Sequence, residues 1–275
     1  MRMIDAVRRC IPMALVTFSF YLSIGIVAGQ EKESLAPTRV EEGAPGWLQT
    51  YAFKKKFTFV RLRHDQPAGR WATDYPDADI NLSKRLKQLT TLDVLPDGVV
   101  LDPVDHKLID YPFAYLSANG IWVLSDPQVM ALRRYLENGG FLMTDDSWGE
   151  EEWKNVISQL NRVLPNRAPK ELPLQHKIFH CVFDLTEKPQ VCGIYYALKG
   201  RAEGITWERP DGKDVSYQGI TNDSGRLMVL ICHNTDLADG WERVDDNPWY
   251  AKEFSEKRAF PMGINIVFYA LTESD

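Results

Sequence analysis

Three short acidic stretches hold the residues of this chain best suited to chemistry. Asp145 and Asp146 stand side by side directly after the apolar run Phe141–Thr144, with Trp148 close behind. Asp74 lies between Trp71 and Tyr75, followed by Asp77 and Asp79. Asn234 and Asp236 come after the apolar run Leu227–Cys232, with Trp241 next along the chain. Adjacent carboxylates can hold a hard divalent cation, or one can act as a general base where burial raises its pKa. Carboxylates set among loop aromatics also suit recognition of a protein, a sugar or a small polar ligand. Each stretch has a structural reading beside the chemical one. Asp77 and Asp79 can oppose a helix dipole, one aspartate of the pair can cap the next helix, Asn234 can close an Asx turn, and the aromatics can be core at loop bases.

Other constellations carry less. The Asp74, Asp77 and Asp79 spacing fails the D-x-D-x-D-G pattern of a calcium loop. His176 and His180 would share a helix face, as zinc ligands can, but Lys177 stands where a metalloprotease helix needs Glu. With no third ligand nearby they read as a helix-end pair. Cys232 and His233 adjoin in a strand and so point to opposite faces, which separates a nucleophile from its base. Ser125 is accounted for by capping.

The elements that must position these residues are legible. Phe57–Leu62, Val99–Leu101, Phe113–Leu116, Phe141–Thr144 and Leu227–Cys232 read as strands. Pro76 suits the first position of a helix whose stripe is Ala78, Leu82, Leu86 and Leu89. Ser125 and Gln128 form a capping box with a Leu124–Val129 staple, and Asn138-Gly139-Gly140 ends that helix. Ser147 and Glu150 predict a second capping box, opening a helix with Trp153, Val156, Ile157 and Leu160. Ile205–Glu208 and Val215–Tyr217 predict a hairpin around Asp211-Gly212, and Ile264–Leu271 a last amphipathic helix. Strand–helix alternation with tight turns predicts an α/β fold: a doubly wound, mostly parallel sheet with helices on both faces and antiparallel additions near the C-terminus. Such a sheet binds ligands beyond its strands' carboxyl ends, where all three acidic stretches fall.

Charge and the N-terminus bound the setting. With 32 basic against 38 acidic residues and no basic run beyond Lys54–Lys56, a nucleic-acid partner is not expected. Arg2, Arg8 and Arg9 precede an apolar block from Ile11 to Ala28, and Val27-Ala28-Gly29 supplies the small residues a signal peptidase reads. Residues 1–29 thus read as a signal peptide or an N-terminal membrane anchor, 30–46 as a linker, and 47–275 as one domain. The domain is expected to be exported, periplasmic or extracellular, or held at the inner membrane by residues 11–28. Of the four cysteines, Cys181, Cys192 and Cys232 lie beyond the leader, leaving a Cys181–Cys192 bridge or three buried thiols as alternatives.

The segments Phe57–Leu62, Trp71–Asp79, Gly139–Asp146 and Gly263-Ile264-Asn265 together resemble the bacterial domain-of-unknown-function family 4159. The resemblance implies a class I glutamine amidotransferase-like scaffold, itself flavodoxin-like. It also implies membrane-associated or exported proteins, sometimes beside MoxR-type ATPases and von Willebrand A-type proteins. It brings no activity, and no cysteine here has the glycine-flanked context of the amidotransferase nucleophile. The expectation is a non-catalytic ligand- or protein-binding module at the strand ends, with Trp71, Asp74, Tyr75, Asp145, Asp146, Trp148, Asn234, Asp236 and Trp241 as candidate binding residues. No cofactor and no metal site are expected, with a divalent metal left as the alternative. The alternatives are a metal- or carboxylate-dependent hydrolase using Asp145 or Asp146, and a membrane-tethered subunit of an envelope assembly.

Overall fold

The computed structural model describes residues 56–64 and 68–273. The leader, the linker and residues 47–55 lie outside the described residues, as does the apolar block 11–28. Among the described residues no helix is long and apolar enough to cross a membrane.

Seven strands form one sheet: β1 (Val60–Leu62), β2 (Val99–Leu101), β3 (Phe113–Leu116), β4 (Phe141–Thr144), β5 (Lys170–Glu171), β6 (Ser216–Thr221) and β7 (Leu227–His233). Their order is β2-β1-β3-β4-β7-β6-β5. The first five in that order are mutually parallel, while β6 and β5 extend the edge antiparallel. The parallel part follows the flavodoxin-type order, with β7 in the fifth place and a switch point between β1 and β3.

Burial on both faces explains why the parallel strands read as near-continuous apolar runs. Phe113, Tyr115, Phe141, Met143, Leu230 and Cys232 point into one core, covered by α1 (Asp77–Leu89) and the C-terminal helices. Ala114, Leu116, Leu142, Val229 and Ile231 point into the other, covered by α2 (Asp126–Glu137) and α3 (Gly149–Val163). The α1 stripe is realised, with Ala78, Leu82 and Leu86 fully buried and Leu89 packed at its edge. So is the first capping box: Ser125 Oγ accepts from Gln128 N while Gln128 Oε1 accepts from Ser125 N. Gly139, at φ 101°, takes the left-handed turn that ends α2.

Past β5 the chain makes a long excursion with one short helix, α4 (Ile194–Lys199). It returns through β6 and β7 to α5 (Leu237–Glu242), the turn α6 (Pro248–Tyr250), a π-helical segment Ala251–Ala259 and α7 (Phe260–Thr272). Three sequence expectations are corrected here. The hairpin around Asp211-Gly212 does not form; β6 pairs instead with β5 and β7, because its Tyr217 and Ile220 complete the two cores of the main sheet. Cys181, Cys192 and Cys232 are buried and form no disulfide with one another, so the bridge gives way to three thiols. His176 and His180 flank a three-residue 3₁₀ turn instead of sharing a helix face, and His180 is held by Asp184 and the Leu174 carbonyl.

Candidate functional site

Parallel strands share one carboxyl edge, and the loops leaving β1, β4 and β7 bring their acidic residues to it. The β1 loop is anchored from below. Arg61, wholly buried in β1, bonds the Asp79 carboxylate through Nε at 3.0 Å and Nη2 at 2.5 Å. Its Nη1 donates to the carbonyls of Trp71 (3.2 Å) and Thr73 (2.9 Å). One guanidinium thus fixes both the start of α1 and the turn presenting Asp74, with fork geometry that a lysine could not reproduce.

Three backbone positions at this edge adopt φ values that non-glycine residues rarely take: Asp74 at 62°, Asp146 at 63° and Asn234 at 57°. Ala118, just past β3, is a fourth at 51°. Left-handed residues cost of order 1 kcal/mol each or more, and they gather where surrounding structure holds a site in place. Asp146 forms a sharp turn between the central strand β4 and α3.

The carboxyl groups act on one another. Asp145 is fully buried, with Oδ2 accepting from Ala238 N at 3.1 Å and from the Tyr115 hydroxyl at 3.4 Å, while Oδ1 has no partner. Burial first, then Asp146, holds it well above the usual carboxylate range. Burial and then Asp74, Asp146, Asp239 and Asp145 do the same to Asp236. Asp74 is raised by burial and by Asp146, Asp239 and Glu242, against the opposing charge of Arg61. Asp146 is pushed up to about 6 by burial and Glu152, despite Arg70 and the Trp148 indole, whose Nε1 donates to Oδ1 at 3.2 Å. Glu208, brought in by the long excursion, rises to about 7 through burial, despite accepting from Gly193 N.

Asp74, Asp145, Asp146 and Asp236 therefore meet as one electrostatic cluster. The other candidates are placed differently. Trp71 and Tyr75 pack ring to ring at 5.6 Å on the rim, with Tyr75 exposed. Trp148 is buried beneath Asp146. Asn234 braces the site: its Oδ1 accepts from Gly149 N and its Nδ2 donates to the Asp214 carbonyl, both at 2.8 Å. Trp241 is entirely buried and donates to the Ala259 carbonyl, so it belongs to the core and not to a loop. The second capping box is also absent. Ser147 is buried and contacts His233 Nδ1 at 2.9 Å, and Trp148 becomes the N-cap residue without a side-chain cap.

Sequence reading missed Asp239, Glu242 and Glu208. The first two carried a signal, since Asp236, Asp239 and Glu242 recur every third residue. Glu208 carried none, because only the excursion's path brings it to the edge. A carboxyl oxygen from each of Asp74, Asp239 and Glu242 lies within 4.8 Å of the other two.

A family model described as Domain of unknown function (DUF4159) matches residues 58–271. The chain belongs to that family. No curated protein matches it. In this DUF4159 domain the carboxylates gather at one edge while the cysteines are held as thiols. Burial pushes the Cys192 thiol to about 12 and Cys232 well above the usual thiol range, so neither is poised as a thiolate. His233 is lowered to about 4 by burial and packs on Trp153 at 4.9 Å, while Cys232 points into the opposite core. The cluster can attract positive charge, or pass protons near pH 6–7 through Asp146 and Glu208.

Proposed function

We propose that this DUF4159 domain is a non-catalytic binding module whose ligand carries positive charge and docks on the strand-end carboxylates. One observation carries the reading: the carboxyls of Asp74, Asp145, Asp146, Asp236, Asp239 and Glu242 share one edge and raise one another, and the carboxyls outnumber the arginines that act on them. Arg61 is paired with Asp79 and also acts on Asp74, Arg70 acts on Asp146, and Arg243 contacts Glu242 and Asp239. A ligand cation relieves this repulsion in the folded state alone, so binding appears as stabilisation, about 2.7 kcal/mol at a hundredfold excess over Kd. Thermal melts of the full chain with spermidine, a lysine-rich peptide, Ca²⁺ and Mg²⁺ at pH 8 test it. An upward shift with at least one of them, diminished in Asp146→Asn and Asp236→Asn, is expected. Flat melts throughout, or equal shifts in the variants, would overturn it.

The hydrolase reading is favoured by one further feature. Asp146 takes the left-handed region on the turn from β4 to α3 and carries a carboxyl near 6, where a general base is useful. Turnover of chromogenic esters or glycosides, lost in Asp146→Asn and rising as pH passes about 6, would move the assignment there. The leader and the family resemblance support a setting in the bacterial envelope. In that proposal the domain is exported, or tethered through residues 11–28 beside MoxR-type and von Willebrand A-type partners. The mass of the native N-terminus reads which form exists.

A further inference from the structure

We infer that a hard divalent cation binds between Asp74, Asp239 and Glu242, an inference that rests on the cation-binding reading above and narrows it to a metal. One oxygen from each of the three lies within 4.8 Å of the other two, a spacing that a single cation can bridge. All three donors are carboxylate oxygens, the hard ligands that calcium, manganese and the lanthanides select.

One observation beyond the clustering itself points to a ligand. Asp74 Oδ2 is out of contact with water and has no hydrogen-bond donor. Unsatisfied buried acceptors cost about 1–3 kcal/mol each, so they persist where something bound makes use of them.

The three donors are also held from outside, as metal ligands are. Asp239 Oδ2 accepts from the Tyr250 hydroxyl at 2.7 Å and from Ile194 N at 2.8 Å, leaving Oδ1 3.8 Å from Arg243. Glu242 is steadied by Arg243 Nε at 2.7 Å. Asp74 is held by the Arg61 contacts to Trp71 and Thr73. Charge separates a metal from an amine. Three carboxylates against Arg243 leave an excess that a divalent ion cancels and a single ammonium does not.

Terbium, a calcium surrogate excited through neighbouring tryptophan and tyrosine, is the probe, with Trp71 and Tyr75 flanking Asp74. The full chain should give saturable terbium luminescence displaced by Ca²⁺. Asp74→Asn, which keeps a residue tolerant of the left-handed turn, and Glu242→Gln should each weaken binding at least about tenfold. Asp239→Asn should do the same, and if it fails to fold, the other two variants decide. Asp97→Asn, on the exposed loop before β2, should bind like wild type. No terbium or Ca²⁺ binding, or binding unchanged in Asp74→Asn and Glu242→Gln, would overturn the inference. Stabilisation by spermidine or the lysine-rich peptide without Ca²⁺ would overturn the metal alone and leave the broader reading standing.

Discussion

The turns entering α2 and α3 are written in nearly the same letters, Ser125-x-x-Gln128 and Ser147-x-x-Glu150, yet they are built in opposite ways. At α2 every bond is local: serine and glutamine satisfy each other's backbone donors within four residues. At α3 the serine turns away to His233, and the first amides of the helix are satisfied by other residues. Trp148 N donates to Glu152, Gly149 N to Asn234 and Glu150 N to Asp211. The difference begins at Asp146, whose left-handed backbone redirects the chain so that a carboxylate faces the strand-end edge. Local capping is worth about 1 kcal/mol, and longer-range partners with good geometry can replace it. A helix start that gives up its own cap beside a strained carboxylate marks a turn shaped by its site.

That contrast can be broken most sharply at Asn234. Asn234→Ala removes the acceptor for Gly149 N, removes a donor to Asp214, and places a Cβ-bearing, non-bonding residue at φ 57°. Denaturant unfolding should show a loss of about 3 kcal/mol.

Next comes pH. The folded pKa of Asp146 stands near 6, above its ordinary value of 3.8, so between those values the folded state binds more protons than the unfolded one. The stabilisation is complete at the acid end of that window and is lost as pH rises through about 6. Glu208 extends the same fall toward about 7. His233, lowered to about 4, contributes oppositely: its share is lost as pH falls through that value. With chelator present, stability should therefore drop by at least about 2 kcal/mol from pH 5 to pH 8, and Asp146→Asn should remove the part lost near pH 6 and leave the part that Glu208 loses near pH 7. A rise across the same range would mean the carboxyls do not share one site.

The smallest effects sharpen the comparison at the caps. Ser125→Ala should cost about 1 kcal/mol, whereas Glu150→Ala, an exposed residue with no capping role, should change stability by less than about 0.5 kcal/mol. Equal costs would restore the second capping box.

Much of the fold was legible because its signals are local. The Ala78–Leu86 stripe, the Gly139 stop and the apolar runs of β3, β4 and β7 are encoded within a turn or a strand, and each is where its pattern put it. Misreadings fell where a residue's partner is distant in sequence. Ser147 is claimed by His233, and β6 was assigned to a local hairpin although its partners are β5 and β7. Of the cluster, Asp74, Asp145, Asp146 and Asp236 could be named from their places after apolar runs or beside aromatics. Glu208 could not, and Trp241 was misplaced because an indole reads alike in a loop and a core.

By itself, then, the sequence determined the elements, the capped start of α2 and the carboxylates that leave the strands, since propensity, periodicity and capping act over a few residues. Tertiary structure alone decided which carboxylates meet, that Arg61 would hold the Asp74 turn, and that Asp239 and Glu242 would stand opposite it. Those outcomes depend on strand order and burial. Packing sets both over the whole sheet, and burial is what makes several like charges on one edge cost enough to call for a partner.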